Sequence, residues 1–155
     1  RGLHLCPRPK QRGIPVPSGT NPYSTDENIW GRSIESGVLE DPWVKPPDDV
    51  YLWTRSIPET PEEPTEVEVT FQEGIPTEVN GEQLSAVALV TLLNDLAGTN
   101  GIGRVDHIEN RLVGIKSREI YEAPAATILH AAHQALETMT LGKQQQRFIG
   151  LQRGL

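Results

Sequence analysis

The chain has 155 residues, a formal net charge of −7 and a pI near 5.1. That acidic balance argues against a general affinity for nucleic acid or anionic membrane. No apolar run approaches the roughly 20 residues of a membrane span, and no charged-then-apolar segment resembles a signal peptide. The single cysteine, Cys6, permits no internal disulfide, which fits a reducing cytosol, so a soluble cytoplasmic protein is expected. The length suits one domain with a modest core, and Arg1 in place of Met points to a processed chain or a piece of a longer one.

Residues 1–22 contain Pro7, Pro9, Pro15, Pro17 and Pro22, too many for a helix or a central strand, and leave only 13–17 as a short edge strand. Residues 22–37 then form a dense polar loop. Ser24, Thr25, Asp26, Glu27 and Asn28 precede Ile29-Trp30, and Ser33 comes shortly after. Hydroxyls on a loop suit recognition of a carboxylate or a ureido group, since each both donates and accepts. They equally suit a helix cap or a turn. Residues 41–64 are again rich in proline and acid, with a short helical candidate at 48–53 that Asp48 would cap. The acidic cluster at 59–66 reads as a solvated connector.

Regular structure is expected after Thr65. Residues 66–72 alternate strictly, with Val67, Val69 and Phe71 on one side and Glu66, Glu68, Thr70 and Gln72 on the other. After Gly74, residues 75–79 return as a hairpin that ends at the turn pair Asn80-Gly81. Leu84, Ala88, Leu89, Leu92, Leu93 and Leu96 recur at helical spacing, with Ser85 as the start signal and Gly98 as the stop. Residues 105–113 and 117–122 read as two extended segments around Gly114. Pro124 opens a second helix, with Ile128, Leu129, Ala132, Leu136 and Met139 along one stripe and Gly142 at its end. This order predicts an α+β fold: an antiparallel sheet with two main helices packed on one face, and long proline-rich N-terminal and linker segments.

Chemistry-bearing side chains concentrate at 105–111. In a strand, Val105, His107, Glu109 and Arg111 share one face, and Asp106, Ile108 and Asn110 share the other. The row reads either as the wet side of a sheet or as a carboxylate placed for a ligand's ammonium group, and spacing alone does not separate the two. His130 and His133 lie three apart on the second helix, a spacing that would let both face one metal. No third ligand stands near them in sequence, so they read as helix-surface histidines. Gly98, Gly101 and Gly103 punctuate a run that comes after a helix instead of opening one, and it reads as a helix stop and tight turn.

Taken in order, several motifs resemble those of argininosuccinate synthase. They are Pro22-Tyr-Ser-Thr-Asp-Glu-Asn28, Gly31-Arg-Ser-Ile-Glu35, Gly37-Val-Leu-Glu-Asp-Pro-Trp43, Asn80-Gly81, Leu84-Ser85 and Leu93-Asn94. Gly101-Ile-Gly-Arg-Val-Asp106, Ile108-Glu-Asn-Arg111, Gly114-Ile-Lys-Ser-Arg118, Tyr121-Glu122 and Thr127-Ile-Leu-His130 continue the series. The resemblance implies an ATP-dependent ligase of arginine biosynthesis that joins L-citrulline to L-aspartate, releasing AMP and pyrophosphate. It implies a citrulline site with contributions from Ser24, Ser33, Glu109 and Tyr121, which bind and orient; no catalytic or metal-ligating residue is nominated. ATP, with magnesium, is implied as co-substrate of the full enzyme. The family's Ser-Gly-Gly-x-Asp-x-Ser phosphate loop is absent from this chain, which places that site elsewhere. The expected organisation is an irregular segment at 1–22, a citrulline-binding synthetase domain at 23–142 and a divergent tail at 143–155. In the family a long C-terminal helical arm builds a homotetramer. Little turnover is expected of this chain by itself, and the alternative is a non-catalytic interaction module or an inactive relic derived from the enzyme.

Overall fold

The polar stretch before Trp30 is a strand, not a loop, and pairs with residues 32–35. In a computed structural model, which describes residues 22–153 apart from 111, 113 and 115, β1 (Ser24–Glu27) runs antiparallel to β2 (Arg32–Glu35). The connection is closed by Asn28. Its side-chain oxygen accepts from Trp30 N–H at 2.8 Å, and its own N–H donates to the Gly31 carbonyl at 3.0 Å. β2 then pairs with β7 (Lys116–Glu122), which pairs with β6 (Arg104–Asn110), giving one sheet in the order β1-β2-β7-β6.

A second antiparallel sheet holds β3 (Val69–Gln72), β4 (Ile75–Val79) and β5 (Glu82–Gln83). The hairpin predicted around Gly74 is present, and both Asn80 and Gly81 take positive φ, as the turn there requires. β3 is shorter than the alternation at 66–72 suggests. The ladder runs out at the Val69–Val79 pair, and beyond it Glu68 exchanges hydrogen bonds with Asn80.

The first helix, α1 (Ala86–Thr99), starts where Ser85 predicts, with the Ser85 hydroxyl accepting from Ala88 N–H at 3.3 Å. It continues one residue past Gly98. That glycine is needed for close approach: a Cβ there would lie 2.2 Å from the Trp53 carbonyl oxygen, and the Gly98 carbonyl accepts from Arg55 N–H at 2.9 Å. α2 (Pro124–Thr140) opens at Pro124 as expected. Only the N-terminal part of its predicted stripe is covered: Leu129 is buried, whereas Leu136 and Met139 are exposed. A third helix, α3 (Lys143–Arg153), occupies a stretch for which the sequence pattern predicts no element.

The α+β class therefore holds, with the strands divided between two sheets. α1 and α2 pack on β3–β5 around Val79, Leu89, Leu93, Ala125 and Leu129. The four-stranded sheet has its own core, Ile34, Leu39, Val50 and Ile120, in which the cover is the irregular 37–54 segment. That segment includes short 3-10 turns at Gly37–Glu40 and Asp48–Val50. The second is shorter than the helix expected at 48–53, its cap position is Pro47, and Asp48 makes no capping bond. Asn94 of α1 ties both helices to the first hairpin: its amide N–H donates to the Ile29 carbonyl at 2.8 Å and its oxygen accepts from Ala125 N–H at 2.9 Å. The edge strand expected at 13–17, together with Cys6, His4, Arg111 and Val113, lies outside the described residues.

Candidate functional site

Register decides which side chains share a face, because directly opposed residues of an antiparallel pair project to the same side. Asp26 opposes Ser33, Ser33 opposes Tyr121, and Tyr121 opposes Val105. On neighbouring rows Ser24 opposes Glu35, Glu119 opposes His107, and Ser117 opposes Glu109. Ser24, Ser33, Tyr121 and Glu109 therefore stand on one face, one from each strand in spatial order. Ser33 and Tyr121 are immediate neighbours, Ser24 lies one row away, and Glu109 lies two rows away, about 13 Å along the strands at the usual rise per residue.

The polar run predicts a loop for the two serines; the structure puts them on strands, where side-chain direction is fixed by the pleat. It adds neighbours beyond the four predicted residues: Asp26, Glu35, Ser117 and Glu119 share the face. Glu119 is buried, and one of its carboxylate oxygens accepts from the Ser117 hydroxyl at 2.9 Å. Glu109, Glu119 and Tyr121 all engage other groups. Four carboxylates among hydroxyls make a face whose potential favours an ammonium group. Ser24, Asp26 and His107 are exposed, whereas Ser33, Glu35, Glu109, Ser117 and Tyr121 are half-buried.

The opposite face is built differently. Arg32, Arg104 and Arg118 each reach backbone carbonyls of the covering segment: Val50 at 2.9 Å, Thr54 at 2.7 Å, and Pro42 and Val44 at 2.8 and 2.5 Å. Arg104 also stacks its guanidinium 3.9 Å from the centre of the Tyr51 ring. Burial raises the Tyr51 phenol above its ordinary pKa, against a smaller opposing effect of the Arg104 charge. Arg118 holds Asp106 in a two-pronged pair at 2.8 and 2.7 Å, and that hydrogen bonding keeps the Asp106 carboxyl below its ordinary pKa.

Glu122 is the group that sequence reasoning missed on this side. It is fully buried, and its carboxylate serves five donors. One oxygen accepts from Trp53 N–H, Thr54 N–H and the Thr54 hydroxyl at 3.0, 2.9 and 2.7 Å. The other accepts from Leu52 N–H at 3.0 Å and from Arg32 at 2.9 Å. The strand pattern offered one signal, since Glu122 falls on the face of Ile120, the face that packs inward.

The two helix histidines touch aromatic rings. His130 meets Trp30 edge-on at 6.3 Å, and His133 meets Phe71 edge-on at 5.9 Å while its ring nitrogen lies 3.2 Å from Glu137. Among the described residues no three His, Cys, Asp or Glu side chains converge as a metal site, and no helix is long and apolar enough to cross a membrane.

Residues 23–152 match the sequence profile of the arginosuccinate synthase C-terminal domain. The chain belongs to this family. Among curated relatives, the argininosuccinate synthase of Dehalococcoides mccartyi strain BAV1 is 64% identical over 137 residues, covering 88% of this chain and 34% of the relative. That of Dictyoglomus turgidum is 56% identical over 139 residues, covering 89% and 34%. That of Limosilactobacillus reuteri strain DSM 20016 is 56% identical over 140 residues, covering 90% and 34%. This synthase C-terminal domain thus spans about a third of the length of the relatives it matches. Both cores and the whole four-stranded sheet fall inside the matched residues.

Proposed function

We propose that the open face of the four-stranded sheet is part of the L-citrulline site of an argininosuccinate synthase. The observation that carries this reading is the register, which aligns Ser24, Ser33, Tyr121 and Glu109 across four strands on one face. Citrulline is a zwitterion with a neutral ureido tail. Glu109 takes the ammonium group as a charge-assisted hydrogen-bond acceptor, while the hydroxyls of Ser24, Ser33 and Tyr121 fix the remaining polar atoms. An extended amino acid laid along the strands has the length to meet several rows. All four residues bind and orient; none is assigned as acid, base or nucleophile, since positioning and charge stabilisation carry adenylation chemistry of this kind.

ATP with its magnesium, and L-aspartate, belong on this reading to the portion of the enzyme that the chain does not span. The glycine run near Gly98 supports this. It closes α1 instead of opening a helix, and it packs against Trp53 and Pro124, so it aims no row of N–H groups at a phosphate. A homotetramer and a cytoplasmic location are proposed on the same family grounds.

The test is a 1H–15N titration of this chain with L-citrulline, with L-alanine as control. Citrulline-specific shifts at the amides of Ser33, Tyr121 and Glu109 are expected, and their absence refutes the site. In parallel, the chain mixed with ATP, citrulline and aspartate is expected to release no pyrophosphate; robust release would overturn the placement of ATP outside it. A second reading, a non-catalytic association module, is favoured by the exposed Met139, Phe148 and Leu151. A chain that elutes as a clean monomer at high concentration counts against it.

A further inference from the structure

We propose that Glu122 is a positioning residue for the ligand face: its buried carboxylate, gripped by Arg32 and by the backbone of residues 52–54, holds β2 against β7 in the register that sets Ser33 beside Tyr121. This role rests on the citrulline reading of the face. The β2–β7 ladder contains three pairs, Arg32–Glu122, Ser33–Tyr121 and Ile34–Ile120. The buried Ile34–Ile120 pair disfavours a slip of one residue, which would turn Ser33 to the inward face, but three pairs give this ladder few bonds of its own. The Ile34–Ile120 contact is buried but non-directional. Directionality comes from the neighbouring pair, in which Arg32 donates to Glu122 at 2.9 Å with both side chains almost wholly out of water.

Glu122 is itself immobilised by the four donors of residues 52–54, so it acts as a fixed peg. Arg104, opposite Glu122 on β6, ties the same hub to the third strand by donating to the Thr54 hydroxyl at 2.8 Å. A carboxylate meets this demand because all its lone pairs accept. An amide in its place would turn an NH2 toward at least two of the five donors. Ser33 and Tyr121 are the chain neighbours of Arg32 and Glu122, so any loosening of the peg reaches the open face within one residue.

Cross-strand NOEs and the citrulline titration, recorded on the wild-type chain, E122Q and T54V, test this. In E122Q the Ser33–Tyr121 NOE is expected to vanish while the Val105–Tyr121 and His107–Glu119 NOEs persist, with citrulline bound about tenfold more weakly. T54V removes one donor and is expected to weaken binding by about threefold; it carries the same readout if E122Q does not fold. An E122Q chain with a wild-type Ser33–Tyr121 NOE and wild-type affinity would overturn the proposal. If the wild-type chain itself ignores citrulline, the substrate reading falls, and the NOEs still decide whether Glu122 sets the register.

Discussion

The two faces of the four-stranded sheet carry similar side-chain types to opposite ends. On the inward face, Arg32, Arg104, Arg118, Asp106 and Glu122 are all engaged with one another or with the carbonyls and N–H groups of residues 42–54. That face uses charge to fasten an irregular, proline-rich cover that has few strand or helix hydrogen bonds of its own. On the outward face, Ser24 and Asp26 are exposed, Ser33, Glu109 and Tyr121 are half-buried, and Glu109 and Tyr121 engage other groups. Charge fixes structure where a backbone segment is packed on top of it, and on the other face it is the feature from which the citrulline site is proposed.

This contrast is open to attack from the inward side first. Glu122→Ala removes the acceptor of three backbone N–H groups and strands the buried Arg32, and is expected to cost about 3–5 kcal/mol in a urea melt. The double variant R32M/E122M sharpens the point. A simple buried ion pair tolerates apolar replacement, but here the Leu52, Trp53 and Thr54 N–H groups stay unpaired, so the double variant is expected to remain destabilised. Gly98→Ala, which forces a methyl group into the Trp53 carbonyl, is expected to cost about 1–3 kcal/mol by the same melt.

Asp106→Asn probes the rim of the inward face and is expected to cost less than about 1 kcal/mol, since that pair is partly exposed. Its pH signature has a definite sign. Asp106 has a depressed folded-state pKa, so its contribution is present at neutral pH and is lost as pH falls below the ordinary carboxylate value toward the folded one. D106N should therefore flatten the acid limb of stability below about pH 4. Glu109→Gln on the outward face keeps the size of a half-buried side chain that engages other groups, and is expected to cost about 1 kcal/mol or less. It should nonetheless abolish the citrulline-induced shifts. A large melt shift in E109Q would erase the distinction between the faces.

Elements with apolar periodicity were legible in the sequence. The leucines of α1, the Ser85 cap and the Asn80-Gly81 turn each announce themselves through local physics. Ser24–Glu27 did not, because four polar residues in a row give no alternation from which to infer a strand, and its pairing is imposed by β2. Arg32 and Glu122 escaped for another reason: charged residues are seldom buried, and these two meet across 90 positions of sequence. For the candidate site, the residue types were available from motifs, but their common face was not. That required the register between strands distant in the chain, which no spacing within one segment encodes. His107 and Glu109 illustrate the limit, since the alternation placed them together without saying what lay opposite.

Asn94 has a consequence for how the molecule comes apart. One side chain clasps the turn of the first hairpin with one hand and the first turn of α2 with the other, so the hairpin turn is unable to lift from the helices without breaking that clasp. Severing the clasp should let the first hairpin exchange its amide protons ahead of the rest.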